Sequence, residues 1–478
     1  MPSKLLGLRT VAGRVRALTA LALLALAVLF TVTQTAAGDA REGMRALGHR
    51  EGPMVVATAD MYLALSDMDA QVTNVLLTGA EEGWLCDPDA EASDCERSGS
   101  RYTYDIRRED AQQAALQAAR LAQGDPVRLR SVRAVLAGLH AYDQRVQAAM
   151  EAGRPQAGPA AEPTPEAVRQ YRAATALMAR DLLPKAYNVT LDGAADVDTA
   201  YREERSAVQA GRLRVLGAGL ALVAGLASLQ VYLARRFRRL LSVPLAAALA
   251  GTVALTAAGA SLLATEADHL RAAKTAGFDP VLRLTRARAI SHGLNTDRTR
   301  LILDPADADR YDQMYLEKSQ TLLYIPGVTN LDAYMEELTE RVGPGQDARA
   351  ADIGGFYGWW VHQAATQGRA DAAGPLLHRY RGYQGHQFAV RALAADGDRS
   401  RAVRAHLDPR WPHLPSLSFR HYDREFDGRI SRHEFIGARA VARGDRALEP
   451  WSWLPPAAAL AIAGLIVAGV WPRLSEYR

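Results

Sequence analysis

The segment DREFDGRISRHEF, residues 423–435, carries the residue types of a calcium-binding loop. The residues at the loop's oxygen-ligand and glycine positions are Asp423, Glu425, Asp427, Gly428 and Glu434. Apolar and aromatic side chains also recur every three or four positions, at Phe419, Tyr422, Phe426 and Ile430. This period is typical of one face of an amphipathic helix. We therefore expect a continuous helix here, and a weak calcium site is the alternative.

The histidines give little indication of a metal site. His362, His378, His386 and His406 come closest to a cluster, and none has the HExxH spacing of a zinc-binding helix. We expect these side chains to be packed or exposed, and we expect no metal, no cofactor and no catalytic residue.

Arginines are frequent between residues 282 and 305. A guanidinium group can hold a carboxylate through two parallel hydrogen bonds. An amino-acid carboxylate could therefore bind at Arg283, Arg286 and Arg288. A solvated helix face is the alternative for these three residues.

Four charge-free apolar runs each have the length that a helix needs to cross a bilayer. They are residues 17–38, 215–234, 240–265 and 450–472. Intramembrane ionisable residues mark ion and proton pathways, and these runs contain none. We therefore expect a multi-pass membrane protein that is neither a pump nor a secondary transporter. We expect the first run to be an uncleaved anchor, with a cleaved signal peptide as the alternative.

Basic residues stand beside these runs, as they do on the cytoplasmic side of membrane proteins. Four arginines form the short turn between the second and third runs: Arg235, Arg236, Arg238 and Arg239. Lys and Arg also precede the first run and follow the last. The pattern predicts that both termini are cytoplasmic and that both long polar segments lie outside. The arginine turn could contact a cytoplasmic partner or lipid phosphates.

The charge and the topology exclude several functions. The net charge is +4, and the basic excess lies next to the membrane, so it does not indicate nucleic-acid binding. The predicted cytoplasmic pieces are far shorter than the roughly 50 residues of a small domain. We therefore expect no kinase, cyclase or ATPase within this chain, and no enzyme.

The two cysteines, Cys86 and Cys95, lie in the first outer segment. Disulfides form in oxidising compartments, so we expect these residues to close a small loop. Two free thiols are the alternative.

Helical periodicity dominates both polar segments. A seam with steps of four and three residues runs through Met61, Leu65, Met68, Val72 and Val75. This heptad spacing is typical of packed helices. The sequence predicts an all-α fold in which four transmembrane helices carry two extracytoplasmic antiparallel bundles. The two halves share one layout, which suggests an internal duplication.

The expected organisation follows from these runs. It comprises a cytoplasmic N-terminus (1–16), transmembrane helix 1 (17–38), an extracytoplasmic helical domain (39–214), transmembrane helix 2 (215–234), a basic cytoplasmic turn (235–239), transmembrane helix 3 (240–265), a second extracytoplasmic helical domain (266–449), transmembrane helix 4 (450–472) and a cytoplasmic C-terminus (473–478).

Several stretches resemble the actinobacterial GlnX-type four-span membrane proteins. In the first half these are ADMYLALSDMDAQVTNVLLTG, RYTYDIRREDAQQAALQAARLA and YRAATALMARDLLPKAY. In the second half they are FDPVLRLTRARAISHGLNTDRTRLILDP and FRHYDREFDGRISRHEF. In the family the last stretch is an aromatic-rich helix without calcium spacing.

The resemblance implies a signalling role. Proteins of this type work with a solute-binding lipoprotein that senses glutamate or aspartate outside the membrane. A soluble Ser/Thr kinase of the kinase-G type acts inside. The sequence thus favours a non-catalytic sensor and relay in the cell membrane. A structural envelope protein or assembly scaffold without signalling is the alternative.

Overall fold

The computed structural model of the chain describes residues 11–78, 84–85, 96–97, 100–153, 163–237, 242–342, 353–366, 374–407 and 415–475. The helices are α1 (Val11–Arg45), α2 (Gly52–Thr78), α3 (Ser100–Leu121), α4 (Pro126–Gly153), α5 (Pro165–Leu177), α6 (Leu183–Phe237), α7 (Val243–Ala272), α8 (Asp279–Leu303), α9 (Ala308–Leu322), α10 (Leu331–Arg341), α11 (Gly355–Thr366), α12 (Gly374–Ala395), α13 (Arg399–Leu407), α14 (Pro415–Leu448) and α15 (Leu454–Ser475). The remaining described elements include two antiparallel two-residue strands, β1 (Trp84–Leu85) and β2 (Glu96–Arg97). They also include the short 3-10 helices Pro305–Asp307 and Glu449–Ser452.

The prediction of an all-α fold is confirmed. Four helices of the described residues are long and apolar enough to cross a membrane. Three of them contain an apolar run of the sequence in full, and the helix that begins at Val243 contains the third run from that residue on, so the chain is a multi-pass membrane protein. Each of these helices continues well beyond the apolar run, so that the longest of them reach from 13 to 77 and from 165 to 235.

Three of the long helical runs contain a π-helical segment. These segments are Ala46–Glu51, Met178–Leu182 and Ala273–Phe278. Each of them ends two residues before a proline, at Pro53, Pro184 and Pro280. Proline donates no backbone hydrogen bond and its ring crowds the carbonyl four residues earlier. The wider π turn therefore allows the helix to continue through the proline instead of ending there.

The described helices form two compact units. Unit 1 comprises Met1–Gly52, Ala195–Gly277 and Phe435–Arg478, and it holds the four apolar runs. Small residues bring its helices close together: a Cβ atom on Gly219 would lie only 2.2 Å from Thr256 Oγ1. Close contact at glycine, alanine and threonine is how membrane helices gain packing energy.

Unit 2 comprises Pro53–Ala194 and Phe278–Glu434. It therefore combines helices from both polar segments. One of its hydrophobic clusters is built on α2, α3, α4 and α5 and also includes Val390, Ala402 and Val403 from the second segment. A second cluster gathers aromatic side chains around Tyr334, Tyr380 and Tyr422. The segment boundaries proposed from the sequence stay a prediction.

Candidate functional site

Helix α8 is the polar centre of unit 2. A consecutive set of its side chains is buried although the residues are polar or charged: Asn295, Thr296, Asp297, Arg298, Thr299 and Arg300. A buried charge is costly unless it is paired and hydrogen-bonded. The partners of these groups therefore decide how unit 2 is held together.

His292 bridges two carboxylates. Its Nε2 lies 3.0 Å from Asp423 Oδ1 on α14. Its Nδ1 lies 3.3 Å from Asp67 Oδ1 on α2, within ion-pair distance. Only 6% of each of the His292 and Asp67 side chains is exposed. The site thus joins one helix of the first polar segment to two helices of the second.

The charges at this site select the protonated form of His292. Burial by itself would lower its pKa, but the facing Asp67 and Asp423 carboxylates raise the pKa to about 9. Burial likewise opposes the charge of the two carboxylates, and His292 nevertheless holds both of their pKa values well below the usual range. All three groups are therefore charged at neutral pH.

Arginines extend this site at both ends. Arg107 Nε donates to Asp67 Oδ2 at 2.6 Å. Arg288 holds Asp423 through two hydrogen bonds, of 2.7 and 2.8 Å. The result is an alternating row of positive and negative side chains, which we call the His292 row: Arg107, Asp67, His292, Asp423 and Arg288.

A second site surrounds Asp69, one helical half-turn from Asp67. Its carboxylate accepts a hydrogen bond from Tyr142 at 3.1 Å and pairs with Arg300 of α8. Arg300 also donates to Tyr171 at 2.8 Å and to Asp297 at 2.8 Å. Burial by itself would lower the pKa of Arg300, but these oxygen partners raise it well above its ordinary value. We call this the Arg300 cluster.

A third connection lies at the end of α8. Arg172 of α5 binds both carboxylate oxygens of Asp304 at 2.7 Å. Tyr311 donates to the same carboxylate at 3.0 Å. Thus Asp67, Asp69 and Arg172 of the first polar segment all pair with charged groups at or next to α8.

The predicted seam residues lie in the core of unit 2. Met61, Leu65, Met68, Val72 and Val75 are at most 2% exposed and belong to one hydrophobic cluster. The structure adds that α2 is also buried on a second face. Asp67 and Asp69, which stand between seam positions, are only 4% and 6% exposed.

The three arginines proposed for a ligand carboxylate are separated and engaged within the protein. Arg283 stacks over Trp359 with its guanidinium carbon 4.4 Å from the ring centre. Arg286 lies over Tyr187 at 4.8 Å. Arg288 does hold a carboxylate in the predicted fork, but the carboxylate is that of Asp423.

The calcium-like segment lies within helix α14. Residues 423–434 are helical throughout, and Tyr422 and Phe426 are fully buried. Asp423 is occupied by His292 and Arg288. The described residues hold no group of three or more side chains placed to bind a metal ion. The segment is thus a continuous helix, and its carboxylates Asp423, Asp427 and Glu425 pair with arginines.

Other predicted residues are described only in part. Cys86 and Cys95 lie outside the described residues, as do Arg238 and Arg239. Arg235 is exposed at the end of α6, and the side chain of Arg236 is likewise outside the described part. The disulfide and the basic turn therefore stay predictions.

Sequence analysis singled out neither His292 nor the two carboxylates Asp67 and Asp69. One pattern could have found them. The segment ISHGLNTDRTRLIL places polar residues on every face of one helix, between two helices with hydrophobic seams. A helix that must be packed on all sides and is polar on all sides requires partners of opposite charge.

Comparison with known proteins supports a sensor. Residues 43–202 match the model of a family described as "Actinobacterial sensor domain". No curated protein and no solved structure matches the chain. The matched segment contains Asp67, Asp69, Arg107 and Arg172, and all four take part in the charge contacts described above. The match therefore supports an actinobacterial sensor protein whose sensor domain corresponds to residues 43–202.

Proposed function

We propose that this protein is a non-catalytic membrane sensor that relays amino-acid status, glutamate or aspartate, from outside the cell to a cytoplasmic Ser/Thr kinase. One observation carries the proposal. Helices α2 and α8 face each other through the His292 row and the Arg300 cluster, and each helix continues from an apolar run. A change at these ion pairs thus acts on two helices that lead to the membrane without an intervening loop.

The chemistry of the contact supports two alternative states. Buried ion pairs require close geometry, because removing one partner leaves an uncompensated charge. A buried charged group therefore either keeps its partner at close distance or pairs with a different group. An input that binds one arrangement better than the other shifts the population towards it. A relay needs no more than this differential binding.

The proposed input is a solute-binding lipoprotein. The support is the resemblance to the GlnX-type proteins, together with the engagement of the α8 arginines. A free amino acid at Arg288 would compete with two carboxylates, those of Asp423 and Asp427, which lie 2.7 and 2.8 Å away. A protein partner that contacts the exposed surface of unit 2 meets no such competition.

The proposed output is a kinase of the kinase-G type on the cytoplasmic side. In the proposed topology both termini and the turn with Arg235, Arg236, Arg238 and Arg239 are cytoplasmic. The turn connects α6 and α7, the helices that carry the second and the third apolar run. A shift of either helix would change the basic surface that the kinase meets.

The test is recovery of partners with and without amino acid. The full chain is expressed in its host, cross-linked from outside the cell and purified after addition of glutamate, aspartate or neither. We expect a solute-binding lipoprotein whose recovery changes with the amino acid, and kinase-dependent phosphorylation that changes in parallel. A constant set of envelope proteins under all three conditions would exclude the relay and favour the scaffold.

A matched pair of variants links the result to the structure. Asp67→Asn weakens the pairing with His292 and Arg107. Asp105→Asn alters a half-exposed carboxylate on α3, whose ion-pair partners among the described residues are Arg101 and Arg108 of the same helix. We expect the first variant to lose the dependence on amino acid and the second to keep it, at equal amounts of protein in the membrane.

A further inference from the structure

Unit 1 contains a polar cleft at the start of the second apolar run and the end of the third. The cleft has a volume of about 220 Å³ and lies between α6 and α7. Its lining includes Leu263 and Ala264, which are among the last residues of the third apolar run and are called the floor of the cleft below. Its walls carry charged and amide groups: Arg205, Gln209, Arg212, Asp268 and Arg271.

The charge of the cleft is positive. Three arginines face one carboxylate, that of Asp268. Arg205 donates a hydrogen bond to the Tyr201 hydroxyl at 3.2 Å. This bond orients the guanidinium group, and because the hydroxyl is neutral it does not offset the positive charge. Arg212 and Arg271 form no ion pair with any residue that the structure describes. Both side chains are exposed and are therefore available to an anion.

The height of the cleft fits the headgroup layer of a bilayer. A helix rises about 1.5 Å per residue, and Arg212 stands three residues before the second apolar run. The headgroup region extends roughly 5–8 Å on each side of the hydrocarbon core. The Cα of Arg212 is therefore inside this region, about 4–5 Å beyond the hydrocarbon. The Cα of Arg271 is just outside it, about 9 Å beyond the third run, and its long side chain can reach back into the region.

Apolar side chains next to the cleft offer a surface to acyl chains. Leu213, Leu216 and Leu220 of α6 are exposed, by 70%, 40% and 70%. The cleft thus combines an anion site at the headgroup level with a hydrocarbon surface below it. A soluble anion would use only the first of these features.

We propose that this cleft binds the phosphate of an anionic phospholipid, with Arg212 and Arg271 as its ligands. The ligand belongs to the leaflet on the side of the polar segments. Guanidinium groups bind phosphate oxygens through pairs of charge-assisted hydrogen bonds. A zwitterionic lipid brings a positive group close to the same arginines and is the poorer ligand.

The experiment measures lipid retention by the full-length protein. The protein is reconstituted in nanodiscs of phosphatidylcholine with or without phosphatidylglycerol, released gently and examined by native mass spectrometry. The variant Arg212→Gln/Arg271→Gln is compared with Arg214→Gln, which removes an exposed arginine of α6 that does not line the cleft. Inorganic phosphate is added in a separate series, with the thermal midpoint as the readout.

We expect wild type and Arg214→Gln to retain phosphatidylglycerol equally. We expect the double variant to bind it more than about tenfold more weakly, since each charge-assisted contact is worth more than a tenfold change in affinity. Equal losses in Arg214→Gln and the double variant would mean general surface attraction and would overturn the proposal. Protection by inorganic phosphate equal to that by the lipid would overturn the assignment to a lipid.

A second variant keeps every charge in place. Ala264→Leu adds side-chain volume at the floor of the cleft, so it should reduce retention even though the arginines remain. Retention unchanged in this variant would place the lipid outside the cleft. Far-ultraviolet circular dichroism and the thermal midpoint verify that each variant is folded.

Discussion

Asp67 and His292 belong to opposite halves of the chain, yet the carboxylate oxygen Oδ1 of the first lies 3.3 Å from Nδ1 of the second. Asp67 belongs to the segment that matches the sensor domain, whereas His292 lies beyond it. The sensor segment of this protein is therefore completed by residues of the second half. Within the matched segment Asp67 pairs with Arg107, and the second half adds His292 to Asp67 and Arg300 to Asp69.

The position of His292 predicts a pH dependence of stability. Its pKa is about 6.5 in an unfolded chain and about 9 in the folded protein. A raised pKa means that the stabilisation is fully present below pH 6.5 and is lost as the pH rises through about 9. The change amounts to at most about 3.5 kcal/mol, at about 1.4 kcal/mol per pH unit.

The measurement compares thermal unfolding at pH 6 and at pH 9.5. We expect wild type to lose stability over this interval and His292→Gln to lose clearly less. His362→Gln, which alters an exposed histidine of α11, serves as the control and should follow wild type. An equal loss in wild type and His292→Gln would assign the pH dependence to other groups.

The Arg300 cluster predicts a large effect of removing one charge. Arg300→Met leaves Asp69 and Asp297 without their shared guanidinium partner inside the protein. Breaking a buried pair in this way costs about 3–5 kcal/mol. The free energy of unfolding, from denaturant titration of the detergent-solubilised protein, gives the value.

An exposed ion pair provides the comparison. Arg169→Met removes a surface arginine of α5 that pairs with Glu166 of the same helix. Exposed pairs contribute about 0–1 kcal/mol. If Arg300→Met cost no more than Arg169→Met, the cluster would not stabilise unit 2.

The seam of α2 predicts a loss of packing energy. Leu65 is fully buried in the core cluster of unit 2. We expect Leu65→Ala to destabilise the protein by about 2–5 kcal/mol, because the removed atoms leave a cavity. Leu116→Ala on α3 is the matched control, since Leu116 is 51% exposed. The control should change stability by no more than about 0.5 kcal/mol.

Glu266 predicts a second loss of stability with rising pH, at lower pH than that of His292. This residue is the first beyond the third apolar run, and it is 0% exposed. Neither of its carboxylate oxygens has a hydrogen-bond partner among the described residues. Burial, with the Asp445 carboxylate as a further cause, raises its pKa to about 7. The folded protein therefore binds the proton more tightly than the unfolded chain, and stability falls between about pH 4.5 and pH 7.

The neutral variant Glu266→Gln should remove this dependence. We expect the variant to be more stable than wild type at pH 8 and similar to it at pH 4.5. Glu449→Gln, at an exposed position, should not differ from wild type at either pH. A Glu266→Gln variant that is less stable than wild type at pH 8 would show that the carboxylate is ionised and paired.

The sequence determined the helices and their partition between membrane and water. Apolar runs of sufficient length specify spans because backbone groups inside a bilayer must bond within one helix. The heptad spacing from Met61 to Val75 placed one face of α2 in a core, since side chains three and four residues apart share a helix face. The prolines at 53, 184 and 280 also mark where the structure has its π-helical segments.

Only the tertiary structure decided which charges pair. Asp67 and Asp69 have the composition of a solvated helix face, and Arg288 that of a ligand site. Whether such a side chain meets water, a ligand or a protein carboxylate depends on which helix packs against it. The packing of unit 2 as a whole determines this, because α8 contacts helices that are distant in sequence, such as α2 and α14. A buried charge is tolerated only beside its partner, and the position of a partner is a property of the folded chain.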